Sequence, residues 1–364
     1  MRITFLLPRS GNKPIGGLKV VYEYANGLVR HGHDVAVVHA PPSLFGKTSL
    51  GCQIKSVSKF TSRAMGFKGG YSPKHWFNVD PRVQMLWAPS LHQRWIPDAD
   101  AIVATAWQTA EWAQTYPANK GKKYYFIHDY EYYMVADAAL KQRMEKTYLA
   151  GMRNIVTSPA GEEMLEGCGA DFDAYIPNGI DFSIYNMTLA ADSNARNLIG
   201  FPTRQEHFKG TEDALKALKI VRSNTGPNLN VWSFGGKCPN FIPDWVEYYE
   251  RPTDRKLCEL YNQSRIFIVP SHFEGWGLPG AEAMACGSAL VSTDNVGVRA
   301  YAEHGRTALL SHPRDPISLA DNVQRLQMDE ELRLQIAQEG HHHIQQFTWE
   351  HAISLMDTLL RRKY

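Results

Sequence analysis

The segment that decides the fold reads Ser271-His272-Phe273-Glu274-Gly275-Trp276-Gly277-Leu278-Pro279-Gly280-Ala281-Glu282-Ala283-Met284-Ala285. It follows an apolar run, Ile266–Pro270, whose length and composition predict a buried strand. Proline is tolerated in a first helical turn, where its missing N–H has no partner to lose, so the sequence predicts a helix that begins near Pro279 or Gly280. The free amides and positive dipole end of that helix would form a site for an anion such as a diphosphate.

The same alternation of short apolar runs and helical patterns extends along the chain in two series. The first predicted strands are Ile3–Leu7, Val35–His39, Ala101–Thr105, Tyr124–Ile127 and Ile155–Thr157. The second series is Asn197–Gly200, Leu229–Phe234, Ile266–Pro270, Ala289–Thr293 and Thr307–Leu310. Predicted helices between them include Leu18–His31, Glu212–Ser223, Asp254–Gln263 and Ile317–Met328. Buried strands separated by helices predict an α/β protein with parallel sheets built from right-handed βαβ units.

The length of 364 residues, of which 44% are hydrophobic, predicts two domains that each bury a core. A polar break at Asp181–Ala195 separates the two series. We therefore predict an N-terminal domain of residues 1–183 and a C-terminal domain of residues 184–347. Because the formal net charge is only +2, the chain as a whole has no electrostatic attraction to nucleic acid.

The cysteines and the apolar runs indicate the compartment. The five cysteines are scattered and form no CxxC pair, so neither a disulfide framework nor a thiolate zinc site is predicted. No apolar run approaches the length needed to span a bilayer. We expect a soluble cytoplasmic protein with reduced thiols.

Two carboxylates flank the predicted anion site. Glu274 lies in the loop before the site and Glu282 in the first turns after it, which is unfavourable beside a phosphate unless the carboxylates accept hydrogen bonds from sugar hydroxyls. The spacing and setting resemble the retaining GT-B glycosyltransferases of family four, whose mark is Glu-x7-Glu within E-G-F/W-G-L-P-x-x-E-A-M-A. The resemblance implies that Glu282 binds the donor ribose hydroxyls and that Glu274 contacts the transferred sugar. It also implies that the loop Gly275-Trp276-Gly277-Leu278 binds the donor, with the amides near Gly277 and Leu278 holding its diphosphate.

The loop after the first strand of the second domain carries two cations, Arg204 and Lys209. The family usually has G-R-L-x-x-x-K-G here, and both cations match in spacing, with Thr203 replacing the glycine before the arginine. Two cations at a strand end suit a diphosphate leaving group, because they stabilise charge that develops in the transition state. A solvated basic loop before a helix is the alternative.

In the first domain the candidates are Gly16, Gly17 and His128. The two glycines open the first helix and allow backbone to approach a ligand closely, and the resemblance implies that this loop faces the donor phosphates. His128 follows the strand Tyr124–Ile127, and the resemblance implies that it contacts the sugar as a catalytic residue. A helix entry turn and a structural histidine are the alternatives.

The resemblance extends to both ends of the second domain. Pro177-Asn178-Gly179-Ile180-Asp181 resembles the turn that closes the first domain, and Phe347-Thr348-Trp349-Glu350 resembles the start of the final helix. The family therefore implies that a helix of about residues 348–364 packs back on the N-terminal domain. One departure is Val296-Gly297-Val298-Arg299-Ala300, where the family often has G-G-I-P-E.

The resemblance implies the GT-B fold, with two facing Rossmann-like domains, parallel sheets and an interdomain cleft. It implies a retaining hexosyltransferase that uses a nucleotide sugar, with UDP-glucose as the default, and a glycan or lipid-linked sugar acceptor in polysaccharide biosynthesis. The nucleotide sugar is a substrate, and no cofactor is expected. No metal is expected either, since Asp98-Ala99-Asp100 precedes its strand, at the wrong end of a sheet, and no HExxH spacing occurs.

Two other classes of protein remain open. Gly275-x-Gly277-x-x-Gly280 has the spacing of a dinucleotide fingerprint, with Asp294 about twenty residues later, as in an NAD(P)-dependent oxidoreductase. Pro279 inside the fingerprint weighs against that alternative. A non-catalytic nucleotide-sugar-binding protein of the same fold is the other.

The segment 47–77 is basic and aromatic and contains no Asp or Glu. Its cations are Lys47, Lys55, Lys59, Arg63, Lys68 and Lys74. Such a segment suits peripheral contact with an anionic membrane, here at its inner face, or a lipid-linked acceptor, and a mixture of this kind also binds single-stranded nucleic acid in other proteins. We favour the membrane or acceptor over nucleic acid, with a solvated insertion as the alternative.

Overall fold

The computed structural model describes residues 1–8, 15–40, 58, 73, 76–128, 131–226 and 229–362. Their contacts divide the chain into two compact units. The first unit comprises Met1–Thr157, Gly161–Asn178 and Trp349–Tyr364, and the second comprises Ser158–Ala160 and Gly179–Thr348. The segment 47–77, predicted to contact a membrane, lies outside the described residues except at positions 58, 73, 76 and 77.

The first unit is built on a seven-stranded parallel sheet with the order β3-β2-β1-β4-β5-β6-β7. Its strands are β1 (Arg2–Leu7), β2 (Asp34–His39), β3 (Gln84–Trp87), β4 (Ala101–Ala104), β5 (Lys122–Ile127), β6 (Arg153–Val156) and β7 (Ala174–Tyr175). The helices between them are α1 (Gly16–Arg30), α2 (Trp107–Ala113), α3 (Glu131–Met134), α4 (Ala138–Tyr148) and α5 (Pro159–Gly167).

The second unit is built on a six-stranded parallel sheet with the order β10-β9-β8-β11-β12-β13. Its strands are β8 (Leu198–Pro202), β9 (Asn230–Gly235), β10 (Val246–Glu250), β11 (Ser264–Val269), β12 (Ala289–Thr293) and β13 (Ala308–Ser311). Its helices are α6 (Thr211–Thr225), α7 (Asp254–Gln263), α8 (Leu278–Ala285), α9 (Pro316–Met328) and α10 (Glu330–Ile344). A last helix, α11 (Trp349–Arg361), belongs to the first unit.

Both faces of the second sheet are buried. Successive residues of a strand point to opposite faces, and along β11 Phe267 and Val269 join one apolar cluster while Ile266 and Ile268 join another. A strand segment buried on both sides is usually apolar at successive positions, which is why residues 266–269 of β11 form a continuous apolar run in the sequence.

The predicted strands of both series are confirmed, with ends that differ by at most two residues. Three strands had no prediction: β3, β7 and β10. Each lies at the edge of its sheet and most of its side chains are partly exposed, so no apolar run marks it. Helix α8 begins at Leu278, with Gly277 as its N-cap, which is one to two residues before the predicted start.

The chain enters the second unit between Asn178 and Gly179, before the predicted boundary at residue 183. Ile180 explains the difference. Its amide donates to the carbonyl oxygen of Phe347 at 2.8 Å, and its side chain lies in an apolar cluster of the second unit. The polar break that marked the boundary in the sequence therefore lies inside the second unit.

Helix α11 packs on α1. Trp349 contacts Tyr24 edge to face with ring centroids 5.6 Å apart, and a Cβ on Gly27 would collide with the side chain of Ile353. Such an approach leaves room for glycine alone at position 27.

Among the described residues, no helix is long and apolar enough to cross a membrane.

A histidine pair at the end of α1 anchors α11. Asp357 accepts from His31 Nδ1 at 2.9 Å and from His33 Nε2 at 2.8 Å, and it also pairs with Arg361. The hydrogen bond to Asp357 is the main cause that raises the pKa of His31, and Glu350 adds to the rise. Burial acts to raise the pKa of Asp357, but the hydrogen bonds from Arg361, His31 and His33 hold it below its usual range.

We predict that Asp357→Asn destabilises the first unit in a pH-dependent way. Because the folded pKa of His31 is raised, its contribution is complete below about pH 6.5 and is lost as the pH rises through the folded pKa. The contribution of Asp357 to folding stability has the opposite pH dependence: its folded pKa is lowered, so this contribution is lost as the pH falls through that pKa. Thermal unfolding should therefore show a deficit of about 1 kcal/mol near pH 6 and a smaller one near pH 9, where a neutral His31 no longer forms an ion pair with Asp357. An equal deficit at both pH values would contradict the prediction.

Candidate functional site

The predicted site in the second unit forms where the loop after β8 lies against the end of β11. Gly210 caps α6 with a left-handed φ of 65°. A Cβ at this position would collide with the carbonyl oxygen of Pro270, so the loop backbone lies directly on the residue after β11. The amide of His272 donates to the carbonyl oxygen of Phe208 at 2.7 Å and fastens the two loops together.

This contact brings Lys209 to Glu274. Lys209 Nζ lies 2.9 Å from Glu274 Oε2, and Ser271 Oγ donates to Glu274 Oε1 at 2.7 Å. Both carboxylate oxygens are therefore held, and the pair is only partly exposed, at 26% for the lysine side chain and 18% for the glutamate. The lysine compensates the carboxylate charge that the sequence placed beside an anion site.

The buried side chain of His272 connects its loop to α6 and to the segment before α9. His272 Nε2 lies 2.8 Å from Asp213 Oδ2 on α6, and Arg314 Nε donates to His272 Nδ1 at 3.3 Å. Because Nδ1 accepts from the arginine, the proton of a neutral ring is on Nε2 and is donated to Asp213. The side chain of His272 is 2% exposed, so its role is to hold the loop rather than to meet a ligand.

The loop after β12 holds the backbone of Glu274 through a strained turn. The Glu274 amide donates to the Asn295 carbonyl oxygen at 3.0 Å, and the Gly297 amide donates to the same oxygen at 2.8 Å. Val296 between them has φ 73° and ψ −55°, which is a γ-turn of the rare, strained kind. A Cβ on Gly297 would lie 2.5 Å from the Glu274 carbonyl oxygen. Positive φ is unusual for a β-branched residue, and this one occupies the first glycine position of the family pattern.

The N-terminus of α8 is open. Gly277 caps it with φ 94°, and within the described part of the chain no side chain caps it and its first turn carries no carboxylate. The Tyr301 hydroxyl donates to the Gly277 carbonyl oxygen at 2.9 Å and fills the space that a Cβ on Gly280 would need. Burial raises the pKa of Tyr301, and Glu274 and Glu282 add to the rise, so the hydroxyl stays a donor. The arrangement leaves the positive end of the helix dipole for an anion.

Glu282 lies one turn into α8 and is 7% exposed. The Tyr261 hydroxyl of α7 donates to its Oε2 at 3.3 Å. Burial raises the pKa of Tyr261, Glu282 adds to the rise and Arg204 opposes it. Arg204 and Glu282 therefore lie within electrostatic range of the same phenol.

Arg204 is held by main-chain oxygens. Its Nη1 donates to the Thr203 carbonyl oxygen at 2.9 Å, and its backbone amide donates to the Thr211 hydroxyl at 2.9 Å. Within the described residues no carboxylate lies within 4.0 Å of this guanidinium. Its charge thus remains for an anionic ligand.

The remaining predicted donor residues of this unit are Gly275, Trp276, Gly277 and Leu278. Gly275 is half-buried, and Leu278 packs its side chain on the core. The indole of Trp276 is 3% exposed and packs on Tyr301 at 4.8 Å between ring centroids. Donor binding by this loop stays a prediction.

In the first unit, Gly17 and His128 lie together. A Cβ on Gly17 would be 2.8 Å from His128 Cε1, so glycine is what lets α1 approach the histidine. Gly16 begins α1 and is exposed. The His128 ring packs on Phe126 with centroids 5.2 Å apart at the end of β5.

The carboxylates discounted as metal ligands are in ion pairs. Asp100 pairs with Arg2 at 3.0 Å and Asp98 with Lys120 at 2.8 Å, both before β4. The described residues contain no group of three or more His, Cys, Asp or Glu side chains that could hold a metal ion. Asp294, the acid of the dinucleotide alternative, pairs with Arg299 at 2.7 Å.

The second unit matches a known family. Residues 191–343 match the sequence model described as glycosyl transferases group 1. The D-inositol 3-phosphate glycosyltransferase of Corynebacterium jeikeium (strain K411) is 25% identical over 205 residues, which are 50% of this chain and 47% of that protein. The chain thus spans about half the length of the curated relatives it matches.

Two solved structures share the fold over the whole chain. The sucrose-phosphate synthase from Thermosynechococcus elongatus has a TM-score of 0.71 at 18% identity and covers 99% of this chain and 98% of that one. HepE of Anabaena, solved in complex with UDP-glucose, has a TM-score of 0.72 at 17% identity and covers 99% of both chains. The chain has two parallel-sheet α/β units of the GT-B fold class. Within the second unit, residues 191–343 are similar to the group 1 glycosyl transferases.

We predict that Val296→Gly stabilises the second unit. Relief of the strained φ is worth about 1–3 kcal/mol, and the greater freedom of glycine in the unfolded chain offsets about 0.5–1 kcal/mol of it. The thermal midpoint of this unit should rise by about 2–4 °C for a net gain of about 1 kcal/mol. Val296→Ala is the matched control: it keeps a Cβ and should give no rise. A lower midpoint for the glycine variant would contradict the strain argument.

Proposed function

We propose that the protein is a retaining glycosyltransferase that moves a hexosyl unit from a nucleotide sugar to a hydroxyl group of a glycan or glycolipid. The observation that carries the proposal is the held carboxylate of Glu274, with Lys209 and Ser271 on its two oxygens, beside the open N-terminus of α8. The group 1 match of residues 191–343 supports the same reaction class.

The donor diphosphate fits the open end of α8. The amides near Gly277 and Leu278 and the helix dipole would stabilise its charge, and Arg204 brings a cation that no described carboxylate neutralises. Because these groups supply positive charge at the leaving group, we propose that transfer needs no metal ion. Activity unchanged by EDTA would agree with this, and loss of activity on chelation would contradict it.

Glu282 would accept hydrogen bonds from the ribose hydroxyls. Its carboxylate is nearly buried and accepts a hydrogen bond from Tyr261, and a carboxylate can accept from several donors at once. A ribose diol supplies two such donors. UDP-glucose is our default donor, and the UDP-glucose complex of HepE, which has the same fold, supports that choice.

Glu274 would stabilise the reacting sugar. Both of its oxygens are fixed before the substrate arrives, which is the preorganisation that transition-state stabilisation requires. Lys209 is placed to share its charge between Glu274 and the departing diphosphate as the glycosidic bond breaks. In the first unit, His128 beside Gly17 is the second proposed contact with the sugar.

The first experiment is a thermal-shift panel of UDP, GDP, dTDP and ADP sugars together with NAD and NADP. A ligand that binds only the folded state raises the unfolding midpoint. At a concentration of one hundred times its Kd, it adds about 2.7 kcal/mol to the free energy of unfolding. We predict a shift with one nucleotide-sugar class, UDP-glucose first, that is lost in Glu282→Ala and kept in Glu339→Ala, an exposed glutamate on α10. A response confined to NAD or NADP would overturn the transferase proposal.

Glu274→Gln separates binding from transfer. The amide keeps the size of the side chain and can still accept from Ser271, but the charge is lost. We predict that the transfer rate falls by about 10²–10³, the usual loss when one transition-state group is removed. Affinity for the free nucleoside diphosphate should stay within a few fold or improve, because Lys209 is released. Equal losses in affinity and rate would place Glu274 in nucleotide binding instead.

A further inference from the structure

Two thiols of the second unit face each other. Cys258 lies on α7 and Cys286 directly after α8, and their Sγ atoms are 4.0 Å apart. A disulfide has an S–S length of about 2.05 Å, so closure requires the two sulfurs to approach by about 2 Å.

The two thiols have different environments. Cys258 Sγ accepts from the Cys286 thiol and, at 3.5 Å, from Asn262 Nδ2. Chiefly through the hydrogen bond from Cys286, and against the effect of burial, the pKa of Cys258 falls to about 6. The same hydrogen bond and burial raise the pKa of Cys286. Cys258 is therefore the more acidic thiol of the pair, and thiolates are the nucleophiles of thiol chemistry.

Cys258 is also the accessible member of the pair. It lines a cavity of about 580 Å³ whose wall includes Asn186, Asp254, Arg255 and Glu259. Cys286 is fully buried, so small molecules reach it through Cys258. This is the arrangement of an attacking thiol in front of a resolving thiol.

We propose that Cys258 and Cys286 are a redox-active pair that closes a disulfide in response to peroxide. The Cys258 thiolate attacks one peroxide oxygen, the O–O bond breaks, and hydroxide leaves, which gives a sulfenic acid and transfers two electrons to the peroxide. Cys286 Sγ then attacks Cys258 Sγ, the S–O bond breaks, and the hydroxide takes the Cys286 proton and leaves as water. A dithiol reductant reduces the disulfide to the two thiols again by thiol–disulfide exchange.

Closure would act on the predicted donor helix. The Cys286 amide donates to the Glu282 carbonyl oxygen at 3.1 Å, and Tyr261, one turn after Cys258 on α7, donates to the Glu282 carboxylate. A disulfide therefore joins the same two helices whose relative position sets Glu282. This part rests on the proposed function: the oxidised protein binds nucleotide sugar more weakly than the reduced one.

Two other described cysteines serve as comparisons. Burial is the main cause that raises the pKa of Cys168, which disfavours its thiolate. Cys238 is exposed, and its described hydrogen-bond partner is the Pro239 carbonyl oxygen, with no second thiol beside it. Cys238→Ser is thus a matched control that removes a more accessible thiol without touching the pair.

The test treats the full chain with one equivalent of hydrogen peroxide, alkylates the remaining thiols and maps the peptides by mass spectrometry. We expect a linked Cys258–Cys286 peptide in the unmodified protein and in Cys238→Ser. In Cys286→Ser, Cys258 should stop at the sulfenic acid and be trapped by dimedone. Alkylation of both Cys258 and Cys286 after peroxide, with oxidation at Cys238 instead, would overturn the proposal.

A second measurement tests the coupling by nucleotide-sugar titration of the reduced and oxidised forms. We expect oxidation to weaken binding by at least about fivefold, the lower end of ordinary coupling between sites, with recovery in dithiothreitol and no effect in Cys258→Ser. A linked peptide with unchanged affinity would overturn the coupling. Failure of the reduced form to bind any nucleotide sugar would count against the proposed function instead, since the disulfide is detected independently.

Discussion

The contact between Gly210 and the carbonyl oxygen of Pro270 is the constraint on which the site of the second unit depends. β8 and β11 are parallel neighbours, so the loops that follow them leave the same edge of the sheet. Loops that leave the same edge of a sheet can still lie close together or far apart. A side chain at position 210 would push them apart and separate Lys209 from Glu274. The glycine after the lysine is thus required by the pairing of Lys209 with Glu274, a side chain of a different loop.

The second requirement is a fixed direction for Glu274, and here the protein holds a backbone conformation that is costly by itself. Val296 is kept at positive φ by a turn whose carbonyl oxygen accepts from both Glu274 and Gly297. Glycine would adopt this conformation freely, so a valine there must be held by its surroundings. Tight packing of Gly297 against the Glu274 backbone supplies that restraint. Ser271 and Lys209 then fix the carboxylate, so both ends of the residue are immobilised by different elements.

The sequence alone predicted the features that are set by residues close together in the chain. Buried central strands appear as apolar runs, and the spacing of Glu274 and Glu282 follows from one strand-turn-helix joint. Edge strands such as β10 did not appear, because their side chains are half-exposed. Asp213, Tyr261 and Arg314 could not be assigned either. They reach the site from α6, α7 and the segment before α9, and nothing in their own neighbourhoods marks them. For Trp276, the motif did not reveal that the indole is buried, because its burial depends on Tyr301, which lies outside the motif.

Charge balance explains how a glutamate can stand beside an anion site at all. An isolated carboxylate near the open end of α8 would repel a diphosphate, whereas one paired with Lys209 contributes little net charge. When a diphosphate binds, the lysine can divide its hydrogen bonds between both partners, because an ammonium has three donors. In the proposed reaction, Glu274 would then lose part of its compensation as positive charge develops on the transferred sugar, and it would interact with that charge more strongly than with the ground state. A group that is stabilising in this differential way favours bond cleavage over mere binding, which is what a transferase requires of it.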